Sequence, residues 1–193
     1  MIYRYMFQAY HKEEKVQLKA DAPASNASLF IFEDKVYLYF EAEKEDVCPL
    51  EVAEGELIPH PDGTRWRRMM DIFHYSRPLS DQHWQRKTAG KQPSLRINQL
   101  YPDKVASYVF YHYQYQEERP GEHDRYGIIF LLGNSIVMYG ETPAQPETER
   151  YAGALDTHNT PSEWGALMTQ HFKPWADYEG EWRPVKTLQT RLP

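Results

Sequence analysis

The chain has 193 residues, 41% of them hydrophobic, enough for a packed core in one large domain or two small ones. Its 22 basic and 28 acidic residues leave a net charge of −6, so no global field draws it to nucleic acid or to an anionic membrane, and both partners are excluded. The single cysteine, Cys48, excludes an internal disulfide framework and a cysteine-based metal cluster.

The chain opens directly in strand-like sequence, with no charged leader before an apolar run and no stretch near the ~20 apolar residues of a membrane span, so a cytoplasmic protein is expected. Alternation predicts a first strand over residues 2–11, with Tyr3, Tyr5, Phe7, Ala9 and His11 on one face. Residues 12–26 are polar and punctuated, and predict a link. Residues 28–41 then form two aromatic, β-branched arms that meet at Glu33-Asp34-Lys35, the pattern of a hairpin. An acidic loop, a candidate lid, is expected over 41–61 because Pro49, Gly55, Pro59 and Pro61 interrupt it.

Helical spacing follows: Trp66, Met69, Met70, Phe73 and His74 recur at i, i+3, i+4, i+7 and i+8, with Arg65, Arg67, Arg68 and Asp71 between them. Pro78 ends that pattern, residues 80–93 predict a polar linker, and residues 95–101 predict a closing strand.

The second half repeats this order. Residues 107–115 predict a strand, and residues 128–141 a hairpin turning at Gly133-Asn134, in which Tyr139 and Glu141 echo Tyr39 and Glu41. A loop is expected over 142–160, and Thr160-Pro-Ser-Glu163 has the form of a capping box. The helix after it carries Trp164, Leu167, Met168, His171 and Phe172 at the spacing of the first, with His and Phe exchanged. Residues 187–193 predict the last strand. Each half thus has the order strand, hairpin, helix, strand, with repeats expected over 1–102 and 103–193. Two such sheets can bury their uncovered faces on each other, leaving a ligand pocket between sheet and helix in each half.

Tyr5-Met-Phe-Gln8 in the first strand, residues 30–43 in the hairpin, Arg65-Trp66 followed by Met70, and Leu100-Tyr101-Pro102 resemble the L-rhamnose mutarotase family of the dimeric α+β barrel superfamily. The resemblance covers most of the first half and reaches the second only through the internal repeat. It implies an α+β fold of tandem ferredoxin-like repeats forming an intramolecular dimeric α+β barrel-like pseudo-dimer. It also implies interconversion of sugar anomers by paired proton transfers, with Gln8, Arg65 and Trp66 on the sugar and Trp164 as the copy of Trp66. The chain departs from the family where a helix carrying the catalytic histidine and tyrosine would follow the first strand, because both halves have short polar links there.

Proton transfer would then fall to other groups, of which His74, His112 and His171 are the candidates, alongside His11. Against this, a histidine on an apolar helix face is more often packed and hydrogen-bonded than catalytic. His123-Asp124 and His158 lack metal-ligand spacing, so no metal or cofactor is expected. The surplus of rings, 15 Tyr and 5 Trp, points either to a lined cleft or to a tyrosine-rich sheet surface. Two functional classes follow: a carbohydrate-acting or carbohydrate-binding protein, mutarotase- or isomerase-like, and a non-catalytic small-molecule binder or scaffold of the same superfamily. Oxidative chemistry on an aromatic or haem-like substrate is a third, by fold analogy. The expected partner is a small molecule such as a monosaccharide, and the chain itself is expected as a monomer or homodimer.

Overall fold

In the computed structural model residues 1–149 and 151–192 are described; Arg150, in the loop expected over 142–160, and Pro193, at the end of the expected last strand, lie outside them. In chain order the elements are β1 (Tyr3–Leu18), β2 (Asn26–Phe32), β3 (Lys35–Ala42), α1 (Pro49–Val52), β4 (Ala53–Ile58), β5 (Arg67–Arg68), β6 (Met70–His74), α2 (Asp81–Trp84) and β7 (Gln92–Gln99). A 3₁₀ turn (Pro102–Lys104) leads into α3 (Val105–Glu118), followed by β8 (Ile128–Leu132), β9 (Ser135–Thr142), α4 (Trp164–Thr169) and β10 (Arg183–Arg191). The chain is mixed α+β, and it divides into two units.

The first unit comprises Met1–Met69, Pro78–Pro93 and the chain from Val185 onward. Its strands lie in the order β4-β1-β3-β2-β10, with β5 also on β1. The hairpin forms where alternation places it: β2 pairs antiparallel with β3, Phe32 opposite Lys35, and Glu33 takes the positive φ of 54° that the two-residue turn requires. Pairing Tyr5 with Phe40 and Phe7 with Leu38 puts Tyr5, Phe7, Leu29, Leu38 and Phe40 on one face of the sheet, where they build the core. The Tyr5 and Phe40 rings stack there at 4.9 Å.

The opposite face is buried too, and it carries polar groups that must be paired. Glu41 accepts from both guanidinium nitrogens of Arg86 at 2.5 and 2.8 Å and from the Tyr39 hydroxyl at 2.7 Å. Both charged side chains are at most 5% exposed. A fork-on-fork pair with a third donor is the geometry in which a buried carboxylate offsets its lost hydration.

The second unit comprises Met70–Arg77 and Ser94–Pro184, with strand order β7-β9-β8-β6. Its hairpin repeats the first: Leu132 faces Ser135 across Gly133, whose φ is 62°, and the Tyr139 hydroxyl donates to Glu141 at 2.9 Å as Tyr39 does to Glu41. α3 and α4 lay Tyr108, Met168 and the following Phe172 over Ile72, Ile129, Leu131 and Ile136 to form its core. A second buried ion pair fastens the loops: Glu147 accepts from Arg125 at 2.7 and 3.0 Å, from the Ser76 hydroxyl at 2.6 Å and from the amides of Thr148 and Glu149.

Several elements differ from the sequence expectation. The segment expected as a helix from Trp66 to His74 is strand: Arg67 and Arg68 pair with Gln8 and Phe7 of β1, and Met70–His74 pairs with β8. The segment expected as a strand over 107–115 is the core of α3. The two halves therefore share their hairpins but not the order strand, hairpin, helix, strand, and tandem ferredoxin-like repeats are not formed by these elements. The expected polar link is largely strand, because β1 runs on to Leu18 after a register shift between His11 and Val16. Its partner there is β4, which occupies part of the expected acidic loop. Pairing between distant strands decided the strand cases and burial of one helix face decided α3, and local propensity reports neither.

Removing one partner of the Glu41–Arg86 pair leaves the other charge buried and uncompensated. Arg86→Ala is expected to cost about 3 kcal/mol in urea unfolding, whereas replacing both residues by Met is expected to cost less than the single change.

Candidate functional site

α3 forms over a sequence rich in aromatic residues because it starts cleanly, with Pro102 in the first position of the preceding turn, and because one of its faces is buried. On that face Tyr108, His112 and Tyr115 fall at i, i+4 and i+7, one above the other. The ring of His112 lies 4.0 Å from that of Tyr108, 5.1 Å from Phe73 and 5.0 Å from Trp164. These rings, with Tyr75, Phe172 and Trp182, line a cavity of about 320 Å³ inside the second unit, within the size range of small-molecule sites. Ile129 and Met138 of the sheet line it as well, and Thr169, His123 and Glu181 supply its other polar groups.

The segment that brings Trp164 to the cavity is tied to the end of α3. Glu118 accepts from the amides of Asn159 at 2.9 Å and Thr160 at 2.7 Å and from the hydroxyls of Thr157 and Thr160. Glu117 accepts from the Ala154 amide at 2.8 Å. Gly153 fits only because it has no side chain: a Cβ there would meet the Glu117 carbonyl oxygen at 1.9 Å. Burial alone would raise the pKa of Glu118, but the hydrogen bonds from Thr157, Thr160 and Asn159 hold it well below the usual carboxylate range. Thr160, spent on Glu118, does not cap α4, whose cap position falls at Glu163 without a side-chain bond. The expected capping box is thus replaced by a tertiary anchor.

His112 is 4% exposed. Its Nδ1 lies 2.9 Å from the Tyr108 carbonyl oxygen, which can only accept, so Nδ1 carries the proton and the Nε2 lone pair has no hydrogen-bond partner among the described residues. Burial, assisted by His171 and opposed by the Tyr108 carbonyl, lowers its pKa to about 4. Burial likewise raises the phenols of Tyr75 and Tyr115, and that of Tyr108 most of all, so they remain neutral donors at ordinary pH.

Of the residues expected from sequence to be catalytic or substrate-binding, His112 and Trp164 meet in this cavity and the others lie elsewhere. Trp66 is 9% exposed in the core of the first unit, and its indole N–H has no hydrogen-bond partner among the described residues. Gln8 is buried on β1, its carbonyl engaged by the His60 ring, and Arg65 is exposed. Arg68 reaches Asp46 of the acidic loop at 3.8 Å. His74, on β6 rather than a helix, places Nδ1 3.1 Å from Asp71. His171 is packed, with Nδ1 on the Leu167 carbonyl at 2.9 Å and Nε2 on the Ser107 hydroxyl at 3.0 Å, and it does not line the cavity. His11 is buried, and neither ring nitrogen is hydrogen-bonded among the described residues.

Among the described residues no group of three or more His, Cys, Asp or Glu is placed to hold a metal ion, and no helix is long and apolar enough to cross a membrane. His123 of the His-Asp pair is engaged by the Tyr115 hydroxyl at 2.6 Å. The wall residues that sequence reasoning passed over are Tyr75, Tyr108, Tyr115, Glu181 and Trp182. The signal for two of them was present in the helical spacing of Tyr108, His112 and Tyr115, hidden by the alternation of aromatic residues around it. Comparison with family models, with curated proteins and with solved structures gave no match.

Because the folded pKa of His112 is depressed from 6.5 to about 4, the unfolded chain binds the extra proton first as pH falls. Its contribution is complete above pH 6.5 and is lost progressively toward pH 4. Melting temperature is expected to fall over that window, and His112→Gln to flatten the fall. Glu118→Gln is expected to speed hydrogen exchange at the Asn159 and Thr160 amides selectively, measured by NMR.

Proposed function

We propose that this chain is a non-catalytic small-molecule-binding protein whose ligand occupies the aromatic cavity of the second unit. The observation that carries this reading is the meeting of His112 and Trp164, rings 5.0 Å apart, in a cavity walled by tyrosines with neutral hydroxyls. An aromatic-lined cleft of this size with a few convergent polar groups supports the reading as a ligand site. A histidine titrating near 4 is a weak base and is unprotonated at neutral pH, which makes it a hydrogen-bond acceptor rather than a proton shuttle there. This supports binding over anomer exchange.

A carbohydrate ligand is the second reading. Trp164 in the cavity wall supports it, since an indole face can hold the C–H face of a sugar while the hydroxyls of Tyr75 and Tyr108 bond to its edge. The finer fold reading, a pseudo-dimer of ferredoxin-like repeats, is needed by neither, because the cavity lies within one unit.

Saturation-transfer NMR with a panel of monosaccharides, uronic acids, neutral aromatic compounds and alkylammonium compounds tests the proposal. A binder is expected whose affinity falls at least roughly tenfold in Trp164→Ala, since a stacked ring contributes on the order of 1 kcal/mol beyond its buried area. Trp66→Phe is expected to leave that affinity unchanged. Silence across the panel would remove the binding proposal, and silence of its sugars alone would remove the carbohydrate reading.

A further inference from the structure

We propose that the cavity of the second unit is an aromatic box for an organic cation of the substituted-ammonium class, with the carboxylate of Glu181 as its counter-charge. The inference rests on the reading of this cavity as a ligand site and names the chemistry of the ligand.

The shape of the walls comes first. Phe73 and Tyr75 meet at 82°, Phe73 and Tyr115 at 67°, Phe172 and Trp182 at 72°, and Tyr115 and Trp164 at 49°. Parallel plates would suit a flat aromatic ligand, and a single platform with a fan of hydrogen-bonding groups would suit a sugar. Tyr115 and His123 are near parallel at 17°, but the rings set steeply to one another enclose a compact, rounded group, and the negative faces of π-systems favour one that is positively charged.

Charge agrees with shape. Among the described lining residues Glu181 is the one carboxylate, and no Lys or Arg is present. One Glu181 oxygen accepts from the Thr169 hydroxyl, and the other has no hydrogen bond among the described residues. The field of the carboxylate reaches the buried Tyr108 phenol, whose ionisation it opposes. His112 presents a lone pair rather than a proton, which suits the hydroxyl or N–H of an ammonium compound and repels no cation. The Arg119 guanidinium lies over the Tyr115 ring at 5.7 Å and is not a lining residue. Arg96 also acts on the Tyr75 phenol, again from outside the lining.

The test compares choline with 3,3-dimethyl-1-butanol, the same shape with carbon in place of the charged nitrogen, by quenching of tryptophan fluorescence and by calorimetry. Choline is expected to bind several-fold more tightly than the uncharged isostere, as cation–π attraction at a partly exposed site requires. Glu181→Gln, an exposed change that leaves the fold intact, is expected to weaken choline several-fold without moving the isostere. Equal or tighter binding of the isostere would overturn the inference. So would binding of a monosaccharide or a neutral aromatic compound with choline silent, which would leave the ligand-site reading standing. Silence of the whole panel would overturn both.

Discussion

The docking of one face of α3 on the sheet is the constraint on which the second unit depends. Tyr108 belongs to the core with Ile129 and Phe172, while His112 and Tyr115, one and two turns further on, open the same face into the cavity. One row of side chains therefore serves both as cover for the sheet and as wall of the site. The other side of the helix, with Phe110 61% exposed and Tyr113 46%, is as aromatic as the buried side, so hydrophobicity alone does not orient α3. Its two ends are fixed as well: by the proline-started turn at one and by the tertiary contacts of the two glutamates at the other.

Buried charge in this protein is handled consistently. Glu41 has Arg86 and Tyr39, and Glu147 has Arg125, Ser76 and two backbone amides, so the ions taken out of water have their oxygens engaged. Such pairs are weak sources of stability compared with an apolar core, yet they are severe on alternatives, because any other arrangement leaves an ion unpaired. Glu181 stands in contrast. It is exposed, with one carboxylate oxygen bonded among the described residues, and it sits beside neutral rings.

The two hairpins were legible because their information is local: alternation over two arms and a turn residue at the centre. The Tyr39–Glu41 and Tyr139–Glu141 contacts follow from the same spacing, since residues two apart on a strand share a face. Trp66 to His74 and residues 107–115 were not legible. The first has helical spacing but pairs with β1 and β8 across the sequence. The second has the residue types of a strand but is held as a helix by burial of Tyr108, His112 and Tyr115. Of the cavity wall, His112 and Trp164 were visible as candidate site residues. Tyr75, Glu181 and Trp182 come from segments that only the folded chain brings near them.

The anchoring of residues 154–160 to the end of α3 has a consequence for sequence variation. Acidic residues at the C-terminal end of a helix oppose its dipole, and here Glu117 and Glu118 are kept there by the donors they collect. Three of those donors are backbone amides, of Ala154, Asn159 and Thr160, which almost any residue supplies. The loop can therefore drift through many sequences while keeping its path, whereas neither glutamate can be exchanged without releasing it. Relatives of this chain are to be sought by a pair of acids closing an aromatic helix, with Gly153 as the one fixed point of an otherwise free loop.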